Sequence, residues 1–279
     1  MPLLRYPGGK TKLKEKLGTL ITPYLSGREY REPFFGGGAL GLHLMKSVKF
    51  DALWVNDFDK GISSLWSAVI NQPERLKSLV MDFTPSTEEF YSIKEELVSY
   101  EGEGSLEIGF KKLAIHQISY SGLGTKSGSP LGGHSQKSKY KVDCRWSPSH
   151  ICKNIDRFHK LFSKFQVRHS SCTSFDFIEL IVEEGDAVLY LDPPYYEKGN
   201  DLYQHGFDEK DHKDLARALR STDQPWFLSY DDHPRIRELY KGFFIKDVDL
   251  IYNITATKEQ GKRASRTKSE LIISNKEIR

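Results

Sequence analysis

The stretch Arg28-Glu29-Tyr30-Arg31-Glu32-Pro33-Phe34-Phe35-Gly36-Gly37-Gly38-Ala39-Leu40-Gly41 decides the fold. Arg28–Phe35 reads as a short strand that stops at three glycines, and Ala39–Lys46 reads as the helix that follows. Gly36, Gly38 and Gly41 fit the spacing G-x-G-x-x-G in that context. Glycine there allows a tight turn and lets a ligand approach the main chain. Asp51–Val55 reads as the next strand, with Asp57 just beyond its end. A carboxylate at that place can accept hydrogen bonds from both hydroxyls of a ribose. Strand, turn, helix and strand in this order begin a doubly wound α/β sheet. The two signals together imply an adenosine-containing cofactor, and both NAD and S-adenosyl-L-methionine (AdoMet) fit. Pro33, Phe34 and Phe35 stand where a dinucleotide fold has β-branched residues, and this favours AdoMet, with Phe35 packing on the cofactor. A ligand-free glycine turn, with Asp57 as a helix cap, is the plainer structural reading.

Working outward, a helix is expected from about Lys60 to Asn71. Ser86 and Glu89 have capping-box spacing before an amphipathic segment that reaches about Tyr100. Ser105–Tyr120 and Ser147–Phe165 read as helices. Between them, Ser121–Lys141 is rich in Gly, Ser and Lys and reads as a long loop, a feature that is often functional. The α/β pattern resumes with a strand at Ala187–Leu191, a helix near Glu209–Arg220 and a strand at Trp226–Tyr230. Phe243–Asp249 and Glu270–Ser274 close the sheet. The expected organisation is an α/β domain formed by residues 1–59 and 166–279, interrupted at 60–165 by a helical, basic insertion.

Asp192-Pro193-Pro194-Tyr195 follows the apolar strand Ala187–Leu191 directly. Open α/β sheets place ligands at the carboxyl ends of their strands. Two successive prolines stiffen the backbone and remove two amide donors. The turn therefore presents acceptors, the Asp192 carboxylate and the Pro193 carbonyl, beside the ring of Tyr195. The amino nitrogen of adenine is a poor nucleophile because its lone pair is delocalised into the ring. Two acceptors holding its hydrogens favour a pyramidal nitrogen, positioned for in-line attack on a methyl donor. A stacked ring compensates for the stacking a base loses on leaving the duplex. An ordinary proline turn after a strand is the alternative for the tetrapeptide taken alone.

Bulk composition is that of a globular chain: 279 residues, 38% hydrophobic, 12% aromatic and a net charge of +3. No apolar run approaches the ~20 residues that span a bilayer. No segment near Met1 resembles a secretory signal, so a cytoplasmic location is expected, without membrane association. Cys144, Cys152 and Cys172 form no C-x-x-C pair. His150 near Cys152 admits a metal site, but reduced structural thiols and no metal are the expectation. The charge is segregated: residues 108–170 hold twelve Lys or Arg against Asp143 and Asp156, whereas 171–214 hold three Lys against twelve acids. Such asymmetry points one part of the chain at a polyanion. Lys126, Lys137, Lys139, Lys141 and Arg145 are the candidates there, and Lys262, Arg263 and Arg266 belong to a second basic run at Thr257–Lys268.

These motifs, in this order, resemble the Dam-like adenine-specific DNA methyltransferases over most of the chain. Arg5-Tyr6-Pro7-Gly8-Gly9-Lys10 resembles that family's N-terminal cofactor motif, which implies AdoMet contacts for Tyr6 and Lys10. Glu32–Gly38 is similar to the glycine motif, and Val55-Asn56-Asp57 to the motif whose acid binds the ribose. Asp192-Pro193-Pro194-Tyr195 matches the catalytic motif in full. Phe207, Asp211-His212 and Leu215-Ala216, and then Lys268–Ile273, continue the resemblance. It implies an AdoMet-dependent methyltransferase fold and transfer to N6 of adenine in duplex DNA with base flipping. It also implies target recognition in the insertion and Ser174 and Phe175 against the cofactor's adenine. Phe175 as a core residue is the competing reading. A cognate restriction endonuclease is a candidate partner. Members that read GATC carry Asn-Gly-Leu with a nearby arginine. Here the chain has Ser121-Gly122-Leu123-Gly124-Thr125-Lys126, so the resemblance does not extend to that recognition site.

Three other functions are weighed. Cytosine amino methyltransferases usually carry Ser or Asn in place of Asp192. A catalytically silent DNA-binding relative has no need of both Asp57 and Asp192. An NAD-dependent oxidoreductase requires a catalytic pair for hydride chemistry, which scattered histidines do not supply.

Overall fold

The parity of buried residues along one strand shows how the layers are built. β4 (Ala187–Leu191) is buried throughout. Val188 and Tyr190 belong to one hydrophobic cluster, and Ala187, Leu189 and Leu191 to another. Successive side chains of a strand point to opposite faces, so β4 is covered on both sides. The computed structural model describes residues 3–4, 13–197, 206–253 and 265–278, and only the backbone for 249–253 and 265–268.

Seven strands form one sheet in the order β3-β2-β1-β4-β5-β7-β6. They are β1 (Glu29–Glu32), β2 (Ala52–Val55), β3 (Gln166–Val167), β4, β5 (Trp226–Asp231), β6 (Phe244–Asn253) and β7 (Ser265–Ser274). β3, β2, β1, β4 and β5 are parallel, whereas β7 runs antiparallel to both β5 and β6. From β1 the chain winds outward through β2 to β3, then returns to place β4 on the other side of β1. The switch point therefore lies between β1 and β4, where Glu29 is in register with Ala187. Ligands of open α/β sheets bind at such a point, beyond the carboxyl ends of the strands.

One face of the sheet carries α1 (Lys14–Leu25), α2 (Gly41–Ser47) and the helices between β2 and β3: α3 (Lys60–Asn71), α4 (Pro73–Asp82), α5 (Thr87–Ser99), α6 (Leu106–Ile118) and α7 (Pro148–Phe162). The other carries α8 (Phe177–Val182), α9 (Glu209–Ser221) and α10 (Pro234–Leu239). Residues of α3 to α7 share one cluster with Tyr30, Val55 and Tyr190 of the sheet, and these helices pack on one another, α3 on α6 and α7, α4 on α7 and α5 on α6. No helix among the described residues is long and apolar enough to cross a membrane.

Caps explain where several helices begin. Asp59 accepts from the amides of Gly61 and Ile62 at the start of α3. Ser86 accepts from Glu89 at α5, and Ser105 from Ile108 at α6. Asp208 and Asp211 form a reciprocal capping box at α9. Each satisfies amides that the first helical turn leaves unpaired. Arg31 does the reverse at the end of α8. It is fully buried and donates to the carbonyls of Leu180 (3.0 Å) and Glu183 (2.7 Å), while Glu29 accepts from its other nitrogens. The buried charge is thus paired and hydrogen-bonded, as burial requires.

Candidate active site

The glycine turn leaves β1 in backbone conformations that L-side chains avoid: φ is 49° at Gly36 and 66° at Gly38. A Cβ on Gly38 would lie 2.7 Å from the Phe35 ring, and one on Gly41 would lie 2.5 Å from Glu32 Oε2. The turn is also held by its own peptide groups. Gly36 N–H donates to Asp57 Oδ2 (2.8 Å), the Trp66 indole donates to Gly36 O (2.8 Å), and Gly38 N–H donates to Phe35 O (2.7 Å). The amide hydrogens of Gly36 and Gly38 are thus engaged within the protein.

Asp57 lies beyond the end of β2, as its spacing suggests, and it does not cap α3; Asp59 does. Its second oxygen, Oδ1, accepts from Asp59 N–H at 3.0 Å. Each carboxylate oxygen has two acceptor sites, so one on each is left for a ribose hydroxyl. Burial, and after it the charge of Asp59, push the Asp57 carboxyl up to about 7, against the opposing pull of the two amides and of Lys112. Lys112 of α6 reaches Asp59 at 2.5 Å, and this buried ion pair ties α6 to the site.

Phe35 does not sit where its expected role would place it. Phe35 is 2% exposed, with its ring edge-on to Trp66 (5.2 Å) and Phe162 (6.3 Å). It is a core residue and cannot offer its ring to a cofactor. Phe34 is partly exposed and packs with Phe177 and Phe207 on the opposite face of the sheet. Phe175 corrects the competing reading of that residue. It is 38% exposed, with its edge against Trp54 and His169, and so is not core.

The residue that assembles this edge is Asn56. It is fully buried at the end of β2, and its amide is saturated. Nδ2 donates to the carbonyls of Pro33 (3.1 Å) and Phe175 (3.0 Å); Oδ1 accepts from the Phe175 amide (2.9 Å) and the Thr173 hydroxyl (2.6 Å). One side chain thus fixes the segment before the glycines to the segment that carries Phe175. Sequence reading assigns Asn56 no role beyond its place in the motif. The available signal is an amide closing an apolar strand, because a buried amide must find partners.

Asp192 ends β4 on the other side of the switch point, with Pro193 and Pro194 buried and Tyr195 partly exposed. Asp192 adds to the effect of burial in pushing the Glu32 carboxyl well above its usual range, although the Tyr30 hydroxyl donates to Glu32 at 2.8 Å. The chain beyond the tetrapeptide is held by a residue that the sequence does not single out. Asp231, at the end of β5, accepts from the amides of Tyr196 and Glu197, both at 3.0 Å. Tyr195 lies 6.3 Å from the Tyr230 ring, and Tyr230 is hydrogen-bonded to His212 at 2.6 Å.

The basic candidates divide into groups. Lys126, Lys137, Lys139, Lys141 and Arg145 are exposed on the segment between α6 and α7. Lys141 donates to the carbonyl of Gln136. Of the twelve cations at 108–170, Lys111 is paired with Glu96, Lys112 with Asp59, and Arg168 with Glu29 and Glu183. The charge count therefore overstates the surface by at least these three. Tyr6, Lys10, Lys262 and Arg263 lie outside the described residues. Arg266 is on β7, in register with Tyr252 of β6. All three cysteines are free thiols. Among the described residues, no three His, Cys, Asp or Glu side chains gather as metal ligands.

A mostly parallel seven-stranded sheet, with a glycine turn after β1, an acid after β2 and an Asp-Pro-Pro-Tyr turn after β4, defines an AdoMet-dependent methyltransferase fold. The sequence pattern of the D12 class N6 adenine-specific DNA methyltransferases matches residues 6–254. The chain belongs to this family, and it methylates the N6 position of adenine in DNA. Adenine as the target displaces both the cytosine and the oxidoreductase readings. The chain is similar to the retron Ec67 DNA adenine methylase of Escherichia coli, at 26% identity over 97% of this chain and 89% of that one. It is also similar to the type II methyltransferase M.MjaIII of Methanocaldococcus jannaschii, at 22% identity over 88% and 90%. The type II methyltransferase M.CviBI of Paramecium bursaria Chlorella virus NC1A matches at 21% identity over 90% of each chain.

Proposed function

We propose that methyl transfer takes place between β1 and β4, with AdoMet on the β1–β2 side and the target adenine on the β4 side. The observation that carries this reading is the placement of the glycine turn and Asp192 at the carboxyl ends of adjacent parallel strands. The cradle suits AdoMet in two respects: acceptor sites remain on Asp57, and Phe175 is exposed beside them. Gly36 and Gly38 admit the cofactor, Asp57 takes its ribose hydroxyls, and Phe175 packs on its adenine. Tyr6 and Lys10 complete this set by resemblance. When bound, AdoMet supplies an electrophilic methyl group.

The target base enters from duplex DNA by flipping. Asp192 and the Pro193 carbonyl accept from the two amino hydrogens, and Tyr195 stacks on the ring. Prolines at 193 and 194 keep competing donors away from that nitrogen. Residues 60–165 form the recognition insertion, and Lys126, Lys137, Lys139, Lys141 and Arg145 meet phosphates, as do Lys262, Arg263 and Arg266. Asp192→Ala tests the assignment. Turnover of labelled AdoMet into DNA is expected to vanish, with AdoMet affinity within about threefold of wild type, because the carboxylate acts on the base through bonds formed in the transition state. Turnover at the wild-type rate overturns it.

A further inference from the structure

Lys153, Arg157, Lys160 and Lys164 recur along α7 and its C-terminal turn at i, i+4, i+7 and i+11. At 3.6 residues per turn they fall within an arc of about 60°. That arc lies opposite Ile151, Ile155, Phe158 and Phe162, which bury the other face of the helix. All four cations are exposed, and none is paired with a carboxylate among the described residues. The acid nearest to them in sequence, Asp156, is turned toward α4 and bound to Lys77 at 2.7 Å. Lys46 at the end of α2 and Lys14 of α1 extend the patch. Burial and then the charges of Arg157 and Lys14 push the Lys46 ammonium down. Burial, Lys14 and Lys46 do the same to His43, which only Glu15 opposes.

α9 shows how a merely solvated face is built. It is equally amphipathic, yet its cations are laced to acids: Lys210 to Asp214 (3.0 Å), Lys213 to Glu209 (3.3 Å) and Arg217 to Asp214 (2.8 Å). Such a face needs no partner. The α7 row has no such lacing, and its own charges repel one another. It spans about 17 Å at 1.5 Å per residue. One strand of duplex DNA presents a phosphate about every 3.4 Å along the axis, so the row covers about five. α7 descends toward β3, whose Gln166 is in register with Ala52 at the start of β2. The row therefore runs toward the amino edge of the sheet, away from the Asp192 turn.

We propose that the α7 row binds the phosphate backbone of duplex DNA outside the segment that occupies the active site, as a second, sequence-independent contact. This rests on DNA as the substrate and is independent of the α6–α7 loop as the contact near the target. The test uses the full chain in three forms: wild type, the α7 variant Lys153→Gln/Arg157→Gln/Lys160→Gln/Lys164→Gln, and the loop variant Lys137→Gln/Lys139→Gln/Lys141→Gln. Affinity for a labelled mixed-sequence duplex of about 40 base pairs is measured against salt. Each lost phosphate contact lowers the slope of log affinity on log salt by about 0.9. The α7 variant is expected to lose about 3 to 4 from the slope while keeping the wild-type kcat on plasmid DNA at low salt. An unchanged slope overturns the proposal, whether or not the variant has lost binding to anionic vesicles. A tenfold fall in kcat overturns the placement outside the site. A loop variant with the wild-type slope defeats the loop reading and leaves the α7 row standing.

Discussion

The carboxyl edge of the sheet and the loop between α6 and α7 are both rich in side-chain hydrogen bonds, but they use them differently. At the sheet edge the bonds join segments far apart in the chain. Asn56 reaches Phe175, Asp57 reaches Gly36, and Asp231 holds Tyr196 and Glu197. In the loop most stay local, and two reach α5: His134 bonds Tyr91, and Lys94 donates to the carbonyl of Ser127. Ser127 bonds the carbonyls of Tyr120 and Ser129, Ser138 pairs with Tyr140, and Gln136 binds the carbonyls of Leu131 and Gly133 and the amide of Val142. The first arrangement fixes the relative positions of the segments that follow β1, β2 and β4. The second ties the loop mainly to itself, with two bonds to α5, and leaves its cations exposed. On the proposed function, chemistry that needs fixed distances is built on the scaffold, and recognition is left to a unit whose bonds are mostly its own.

The largest effect is expected where the scaffold meets the target base. Asp192→Ala should reduce turnover at least about a hundredfold, the usual consequence of removing one preorganised transition-state contact. Circular dichroism should show an unchanged fold. Next comes the clamp. Asn56→Ala strands the carbonyls of Pro33 and Phe175 and the Phe175 amide, and each buried orphan costs about 1–3 kcal/mol. The melting temperature should fall by about 5–10 °C for a chain of this size, a drop that calorimetry would register. A change under about 2 °C would remove the clamp from the account.

Asp57→Asn keeps the shape but loses the charge. AdoMet affinity should drop about tenfold, since hydrogen bonds to a charged group contribute about 1.5–3 kcal/mol. The wild-type protein carries its own control. With the Asp57 carboxyl at about 7, the ionised acceptor prevails only above that pH, so AdoMet binding should strengthen from pH 6 to 8 and flatten in the variant. Stability has the opposite sign. A carboxyl raised above its unfolded value favours the folded state in acid, and this contribution is lost as pH rises through about 7. The smallest effect belongs to the loop. Gln136→Ala frees groups that water can reach, so stability should change by less than about 1 kcal/mol. AdoMet affinity should not move, while DNA affinity falls a few-fold. Linked losses in both affinities would break the contrast between the two regions.

Local pattern carried much of this into the sequence. α3 and β4 are read at their observed limits because an Asn-Asp-Phe-Asp turn or a proline pair bounds an apolar run. α1 is not read at all. Gly18 and Pro23 argue against a helix, yet Leu17, Ile21 and Leu25 bury themselves in the core, and Gly18 accommodates His43. β6 and β7 extend beyond the expected Phe243–Asp249 and Glu270–Ser274, because their antiparallel ladder continues from Asp249 paired with Ser269 to Asn253 paired with Ser265. In the site, the Gly36–Asp57 pair is legible as spacing. The bonds from Asn56 and Asp231 are not, because their partners are set by strand order and not by proximity in the chain. Phe35 is placed differently from its reading for a related reason. Past the end of a strand, alternation no longer says which ring faces the core.

The central claim is that Asp192 and its turn direct methyl transfer to N6 of adenine. Its most direct test is nucleoside mass spectrometry of duplex DNA incubated with AdoMet and either wild-type protein or Asp192→Ala. N6-methyladenine with the wild type, and none above background with the variant, is the expected result. N4-methylcytosine as the product, or equal N6-methyladenine from both proteins, would contradict it.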